Sequence, residues 1–318
     1  MKIPKRLIAD FKKEQVFLLT THISPDGDAI GSCLALAEAL RLLGKTVVVY
    51  DRDPVPEYYR FMPGCRTFRL APGGILSKDP LVVLLDCNSP ERAALPKRAF
   101  RKIIVIDHHE TESDFGDVRW VERNAAATGL MIFHLIKALG VSITKTIATN
   151  LFTAIAVDTG TFRYSNTDAD VLLAAASLVE AGARPGTISE HLYERWKQSR
   201  FDLLTLCLET LEIKNGVSIV HVTREMHRKT GTTESDTENF ANVPKIIDTV
   251  KISVLIREVD NGRWKISMRS KGIANVATIA AAFGGGGHRN AAGFRIKADL
   301  ATVKKAILKS ARAVISQT

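Results

Sequence analysis

The chain has 318 residues, 46% apolar and 25% charged, a balance that suits a globular protein of one large or two smaller domains and not a disordered chain. The net charge is +10 and uneven: residues 201 to 318 hold 18 Lys and Arg against 11 Asp and Glu, while residues 1 to 200 hold 26 against 23. A basic C-terminal third suits an anionic partner such as a nucleic acid or a nucleotide, or simply a basic soluble surface.

No apolar stretch approaches the roughly 18 residues of a membrane span. The N-terminal "MKIPKRLIADFKK" lacks the apolar core and cleavage site of a signal peptide. Cys33, Cys65, Cys87 and Cys207 are scattered, with no CxxC pair, so neither a disulfide framework nor a structural zinc site is expected. A cytoplasmic protein with reduced, packing cysteines follows.

"VFLLT" (16–20) reads as a strand, "AIGSCLALAEALRLLG" (29–44) as a helix stopping at Gly44, and "KTVVVYD" (45–51) as the next strand. This βαβ unit predicts a parallel sheet. "LVVLLD" (81–86) and "KIIVID" (102–107) are near-continuous apolar runs, as in strands buried on both faces. Helical patterns follow at 127–139 and 144–157, and a further helix over 167–182 has Thr167 as its predicted cap. Gly and Pro interrupt the pattern at 182–200, a charge-mixed stretch that reads as a helical connector.

Beyond it, "GVSIVHVT", "VKISVLIREVD" and "RWKISMRS" alternate like strands of a mixed sheet. Asn261-Gly262 marks a hairpin turn between the last two. A short helix (276–282), a glycine run (284–287) and a C-terminal helix (299–315) close the chain. The expected class is therefore α/β: an N-terminal parallel sheet with helices on both faces (1–184), a connector (185–205) and a smaller α/β domain with a mixed sheet (206–318).

Three apolar runs end in acids or histidines. Run 16–20 leads to His22, Asp26 and Asp28; run 81–85 to Asp86; run 102–106 to Asp107, His108 and His109. In a parallel sheet these ends share one rim, where open α/β folds bind ligands. A further acid, Asp158, follows "ATNLFTAIAV", with Gly160 permitting a tight turn. Singly, each has a structural explanation: an Asp after a strand is often a turn or cap residue, and Asp28 could cap the helix beginning at Ala29. Jointly, five acids and three histidines on one rim repel one another unless a cation sits among them. Mixed carboxylate and imidazole ligands fit Mn²⁺, with Fe²⁺, Co²⁺ or Mg²⁺ as alternatives, and the donors suffice for two ions.

These residues resemble the DHH phosphoesterases, named for the triplet seen here as Asp107-His108-His109. "HISPDGDAIGS", "VVLLDCNSPER", "VIDHHET" and "AVDTGTF" are similar to the family's four N-terminal motifs, in order, and "FGGGGHRNAAGF" (283–294) to the hallmark of its DHHA1 domain. Size and domain pairing resemble the short, NrnA-like members, nanoRNases (oligoribonucleases) that also act as phosphatases of 3′,5′-phosphoadenosine. The resemblance implies two divalent ions, usually manganese, and a dinuclear-metal hydroxide mechanism. It implies that His22 and Asp26 hold one ion, that Asp28, His108 and Asp158 hold the other, and that Asp86 bridges them. Asp107 would orient a histidine ligand, and His109 would face the substrate phosphate.

The run Gly284, Gly285, Gly286, Gly287 fits neither GxGxxG nor a P-loop. It could still present backbone N–H groups to a phosphate, aided by His288 and by Arg269 at a strand end, with Arg289 a further candidate. The other reading is a turn in which Gly284 caps the helix 276–282. The expected partners are short RNA oligonucleotides and phosphorylated nucleotides, with no membrane; a homodimer stays open. Competing functions are a phosphodiesterase for pApA or cyclic dinucleotides, and an inactive nucleotide-binding regulatory module.

Overall fold

The computed structural model describes residues 1–95, 99–109, 114–260 and 262–315. Its internal contacts separate into two units, Met1–Arg195 and Trp196–Thr318. The division falls within the 185–205 stretch read as a connector. Ile188 and Leu192 are buried in the core of the first unit, whereas Leu203 and Cys207 are buried in the second.

The N-terminal unit contains α1 (Lys5–Lys13), β1 (Val16–Thr20), α2 (Gly27–Leu42), β2 (Thr46–Tyr50), β3 (Phe68–Arg69), β4 (Leu81–Leu85), β5 (Ile103–Asp107) and β6 (Val118–Val121). Then come α3 (Thr128–Ala138), α4 (Lys145–Asp158), α5 (Ala169–Glu180), α6 (Pro185–Ser189) and a π-helical turn over Glu190–Glu194. The six strands form one parallel sheet in the order β3-β2-β1-β4-β5-β6.

Alternate residues of the sheet serve two cores. Phe17, Leu19, Val83, Leu85, Ile104 and Ile106 join the apolar residues of α1 to α5. Leu18 and Val82 meet Ile75 of the 3₁₀-helix Gly73–Lys78, and Leu84 and Val105 meet Cys87 and Ala93. Helical structure thus flanks both faces unequally, with the α-helices on one and the 3₁₀-helix on the other. α2 is apolar nearly all round because it is covered in turn by α3 and α4.

Two helix starts differ from expectation. α2 begins two residues early and is capped by Asp26, whose carboxylate accepts from the N–H groups of Asp28 and Ala29. Asp28 therefore lies inside the first turn and is not the cap. α5 is capped by Asp168, which accepts from Val171, and not by Thr167, whose own N–H still closes the preceding turn onto Tyr164.

The C-terminal unit contains α7 (Gln198–Leu208), β7 (Glu212–Lys214), β8 (Val217–Val222), α8 (Arg224–Thr230), β9 (Ile252–Asp260), β10 (Arg263–Ser270), α9 (Val276–Ala282), β11 (Gly286–His288), β12 (Ala291–Lys297) and α10 (Leu300–Ile315). Its sheet has the order β11-β12-β10-β9-β8-β7 and is mixed, with β8 and β9 parallel and the other pairs antiparallel. One face carries Val254, Ile256, Ile266 and Met268 against α9 and α10, and the other carries Val220 and Leu255 against α7 and Phe240. Gly262 of the expected hairpin turn has φ 73°, whereas Asn261 lies outside the described residues.

α2 and α4 approach closely because glycine replaces a side chain where they meet. A Cβ on Gly31 would lie 2.5 Å from the carbonyl oxygen of Asn150 and 2.9 Å from Ala154 Cβ. Backbone cannot yield as a flexible side chain can, so overpacking here costs stability. Gly31→Val should lower the unfolding free energy by about 1–3 kcal/mol. Chemical denaturation would read this as a lower midpoint at unchanged slope.

Candidate metal centre

The strand order explains why acids gather. From β1 the chain moves outward to β2 and β3, and from β4 it moves the other way to β5 and β6. Loops leaving neighbouring β1 and β4 therefore diverge, opening a crevice at the C-terminal ends of the strands. His22, Asp26 and Asp28 follow β1, Asp86 follows β4, and Asp107 ends β5 with His108 and His109 just beyond it. Asp158 arrives as the last residue of α4, beside α2.

Among the described residues of the N-terminal unit, three groups of possible ligand atoms each fit within 4.8 Å: His22, Asp26 and Asp86; Asp28, His108 and Asp158; Asp86, Asp107 and His109. Asp86 joins the first two. Its Oδ2 is 3.5 Å from His22 Nε2, and its Oδ1 is 3.4 Å from His108 Nε2. His108 Nε2 also lies 3.1 Å from Asp158 Oδ2 and 3.6 Å from Asp28 Oδ2.

Each side chain is held from behind. Asp86 has φ 57°, in the left-handed region that few residues other than glycine and Asn or Asp adopt. That backbone turn aims its carboxylate along the rim, where Thr128 Oγ1 donates to Oδ1 at 2.9 Å. Asp28 accepts from the N–H groups of Thr128 (2.6 Å) and Gly129 (2.7 Å) and from Ser32 Oγ (3.2 Å). Ala127, at the N-cap of α3, offers no capping side chain, so Asp28 from α2 caps α3 instead. The loop bearing His22 pairs with 92–94 through the N–H groups of Ile23 and Ala94. After Asp158 the chain turns through Gly160, Thr161 and Phe162, all with φ between 56° and 61°. For Thr161 and Phe162 this costs roughly 1–2 kcal/mol each, strain of the sort that collects at functional sites.

Main-chain carbonyls fix the tautomers of the two ligand-type histidines. His108 Nδ1 lies 3.0 Å from Ala125 O and His22 Nδ1 lies 3.0 Å from Ile23 O. A carbonyl only accepts, so Nδ1 carries the proton and Nε2 of the neutral ring presents a lone pair to carboxylate oxygens. Lone pair against lone pair is repulsive unless a proton or a metal cation lies between them. The donor set therefore fits divalent cations, with imidazole Nε2 and carboxylate oxygens as ligands and carbonyls orienting the rings.

Without such cations, protons must carry the compensation. Burial alone would lower the His22 pKa, but its contact with Asp86 and the charges of Asp26 and Asp86 lift it to about 9. His108 is likewise raised against the effect of burial, by Asp158 and Asp86. Asp26 is raised to about 6 by burial and then by the charges of Asp86 and Asp158, and Asp28 is raised for the same reasons. Asp86 moves the other way: His108 and His22 outweigh burial and hold it well below the usual carboxylate range.

Asp107 occupies a different place from the one expected. Its Oδ1 accepts from His109 Nδ1 at 2.7 Å, so it orients the histidine read as substrate-facing. His22 and His108 leave no such role open, because their Nδ1 atoms already face carbonyls.

The glycine run in the C-terminal unit also departs from expectation. Gly284 N–H bonds Ala281 O, and Gly285 N–H bonds Ala280 O. With Gly284 at φ 73°, this is a Schellman closure of α9, the capping alternative, and it occupies two of the four N–H groups that could have faced a phosphate. Gly286, Gly287 and His288 lie in strand β11, paired with β12. Arg289 ties the β11–β12 turn to the segment between β10 and α9, donating from Nη2 to Ile273 O at 2.9 Å. Arg269 and His288 both pair with Ala291, so they stand in one cross-strand row on the same face of the sheet.

Thr128, Gly129, Ser32 and the Ala125 carbonyl escaped the sequence reading. The bonds of Thr128, Gly129 and Ala125 reach acids and a histidine distant in sequence, where no local pattern announces them, whereas Ser32 lies one helical turn after Asp28 and its i, i+4 spacing could have shown the pair. Only the helical pattern beginning near Thr128 hinted at a helix N-terminus there.

Residues 16–155 match the DHH family, N-terminal domain, and residues 216–317 match the DHHA1 domain. The chain is similar to the bifunctional oligoribonuclease and PAP phosphatase NrnA of Thermus thermophilus, with 36% identity over 316 residues covering 96% of this chain and 93% of that one. It is also similar to the Bacillus subtilis protein of the same name, with 28% identity covering 94% and 98%. The crystal structure of an exopolyphosphatase-related protein from Bacteroides fragilis superposes with a TM-score of 0.86 at 27% identity, covering 98% of each chain. Identity of this extent over nearly the whole length, together with both domain matches, makes this chain a member of the DHH family with a C-terminal DHHA1 domain.

Proposed function

We propose that the protein is a metal-dependent phosphoesterase that shortens very short oligoribonucleotides and removes phosphate from 3′,5′-phosphoadenosine. The observation that carries this reading is Asp86, whose two oxygens face two separate groups of ligand atoms. His22 and Asp26 would hold one cation, Asp28, His108 and Asp158 the other, and Asp86 both. A donor set of carboxylates with a minority of imidazoles favours Mn²⁺, with Mg²⁺, Co²⁺ or Fe²⁺ as substitutes. The names of the relatives supply the substrates.

When bound, a pair of cations supplies an acidic water and offsets the negative charge that protects a phosphodiester. The remaining work falls to side chains. Thr128 Oγ1, donating to Asp86, keeps that carboxylate in one orientation, as a ligand shared by two cations would need. Asp107 accepts from His109 Nδ1 and so leaves Nε2 as the ring atom that, when it carries a proton, would hold a phosphate oxygen or pass that proton to the departing ribose oxygen. In the C-terminal unit, Arg269 and His288 would bind a further phosphate from one row of the sheet.

Asp86→Ala should lower kcat/KM for a diribonucleotide by about a thousandfold or more while the circular dichroism stays that of the unaltered chain. Near-normal turnover with unchanged Mn²⁺ dependence would remove Asp86 from the centre.

A panel with Mn²⁺ separates the substrate readings. It compares RNAs of two to five nucleotides, phosphoadenosine, pApA, cyclic di-AMP and long single-stranded DNA. Short RNA and phosphoadenosine should turn over fastest; a preference for pApA or the cyclic dinucleotide would move the function there, and inertness towards all would make the protein a binding module.

Metal affinity should depend on pH. Ligation needs His22 Nε2 deprotonated, and its raised pKa of about 9 means that a proton must leave as the cation enters. Affinity for Mn²⁺ should therefore fall by at least about tenfold per pH unit from pH 8 to 6. It should fall more steeply near pH 6, where Asp26 also takes up a proton. Calorimetric titration at three pH values would show it, and pH-independent affinity would contradict it.

A further inference from the structure

The members of the second group come from three places in the chain: Asp28 from α2, His108 from beyond β5 and Asp158 from the end of α4. Segment 125–128 supports the first two. Ala125 O holds His108 Nδ1, and the Thr128 and Gly129 N–H groups hold Asp28. Asp158 stands at a helix C-terminus, where carbonyls lose their helical partners. Its carbonyl accepts Asn166 Nδ2 at 3.1 Å, and the same nitrogen reaches Ala126 O at 3.1 Å. Only an amide nitrogen with two hydrogens can serve both carbonyls, so the orientation of Asn166 is fixed.

The strained turn accounts for how Asn166 gets there. Three successive left-handed residues, Gly160 to Phe162, reverse the chain after α4. Arg163 and Tyr164 N–H groups then close onto Thr159 O, and residue 166 comes back against the end of its own helix. The side chain thus joins the backbone of Asp158 to the segment that seats His108, Asp28 and Asp86.

We propose that Asn166 is a positioning residue for the second cation group: it locks Asp158 in register with the 125–128 segment and sets the affinity of that group alone. This rests on the reading of Asp28, His108 and Asp158 as ligands. Partners of this kind, one step behind the ligands, typically change metal affinity by about 10- to 100-fold.

The test is calorimetric titration of Mn²⁺ into the full-length, chelator-stripped chain. The unaltered chain should show two binding events. Asn166→Asp keeps the shape but replaces the donor by an acceptor facing two carbonyls, and Asn166→Ala removes the group. Both variants should weaken one event at least about tenfold and leave the other within about twofold. Their melting temperatures in chelator should stay near that of the unaltered chain. Ser165→Ala, in the same exposed turn, should change neither event. Two undiminished events in both Asn166 variants would overturn the proposal, as would equal weakening of both events or a matching loss in Ser165→Ala. No Mn²⁺ binding by the unaltered chain would instead overturn the metal reading of the site, and this inference with it.

Discussion

Buried negative charge with too little positive charge to match it is the constraint on which the N-terminal unit turns. Among the described residues, the ion pairs of Asp28, Asp86 and Asp158 are all with histidines. Asp28 and Asp86 are almost wholly removed from water. Bringing such groups together is costly, and the surroundings bear that cost with directed dipoles. The N-terminus of α3 points at Asp28, a hydroxyl points at Asp86, and Asp26 spends one oxygen on the start of α2. These donors reduce the repulsion without abolishing it, which is why the basicities of the two histidines and of Asp26 and Asp28 are all displaced upward.

The architecture follows from that need. A parallel sheet with its direction reversal between β1 and β4 brings three separate chain segments, those after β1, β4 and β5, to one rim. Close helix contact then adds what the sheet cannot: glycine at 31 lets α4 lie against α2, so that Asp158 reaches a site otherwise built from strand ends. A Cβ on Gly129 would strike Ala154, so α3 depends on the same economy of side chains.

Much of this was legible in the sequence. Long apolar runs ending in Asp or His announced β1, β4 and β5 and their shared rim, because a buried strand needs continuous apolar residues and a polar end needs a reason. β3 and β6 were not legible, being two and four residues long and lacking such runs. The partner of Asp107 was misjudged because two adjacent histidines, His108 and His109, look alike in sequence; which one turns back depends on where Ala125 O lies. The cap of α5 slipped by one residue because Thr167 and Asp168 are both competent caps, and tertiary placement chooses between them. Asn166 and Thr128 act across 40 and 42 residues respectively, a distance at which spacing carries no information.

The closure of α9 has a consequence for how substrate preference can change. The N–H groups of Gly284 and Gly285 are bound to the helix end and have nothing left to offer an anion. On the proposed reading, more of the recognition would then fall to the side chains in the row of Arg269, Ala291 and His288. A cradle of backbone amides is indifferent to mutation, whereas a row of side chains can be rewritten one codon at a time. If that row does bind substrate, as proposed, the C-terminal unit would be the place where selection, or an engineer, could retarget the enzyme while the buried acids of the other unit stay as they are.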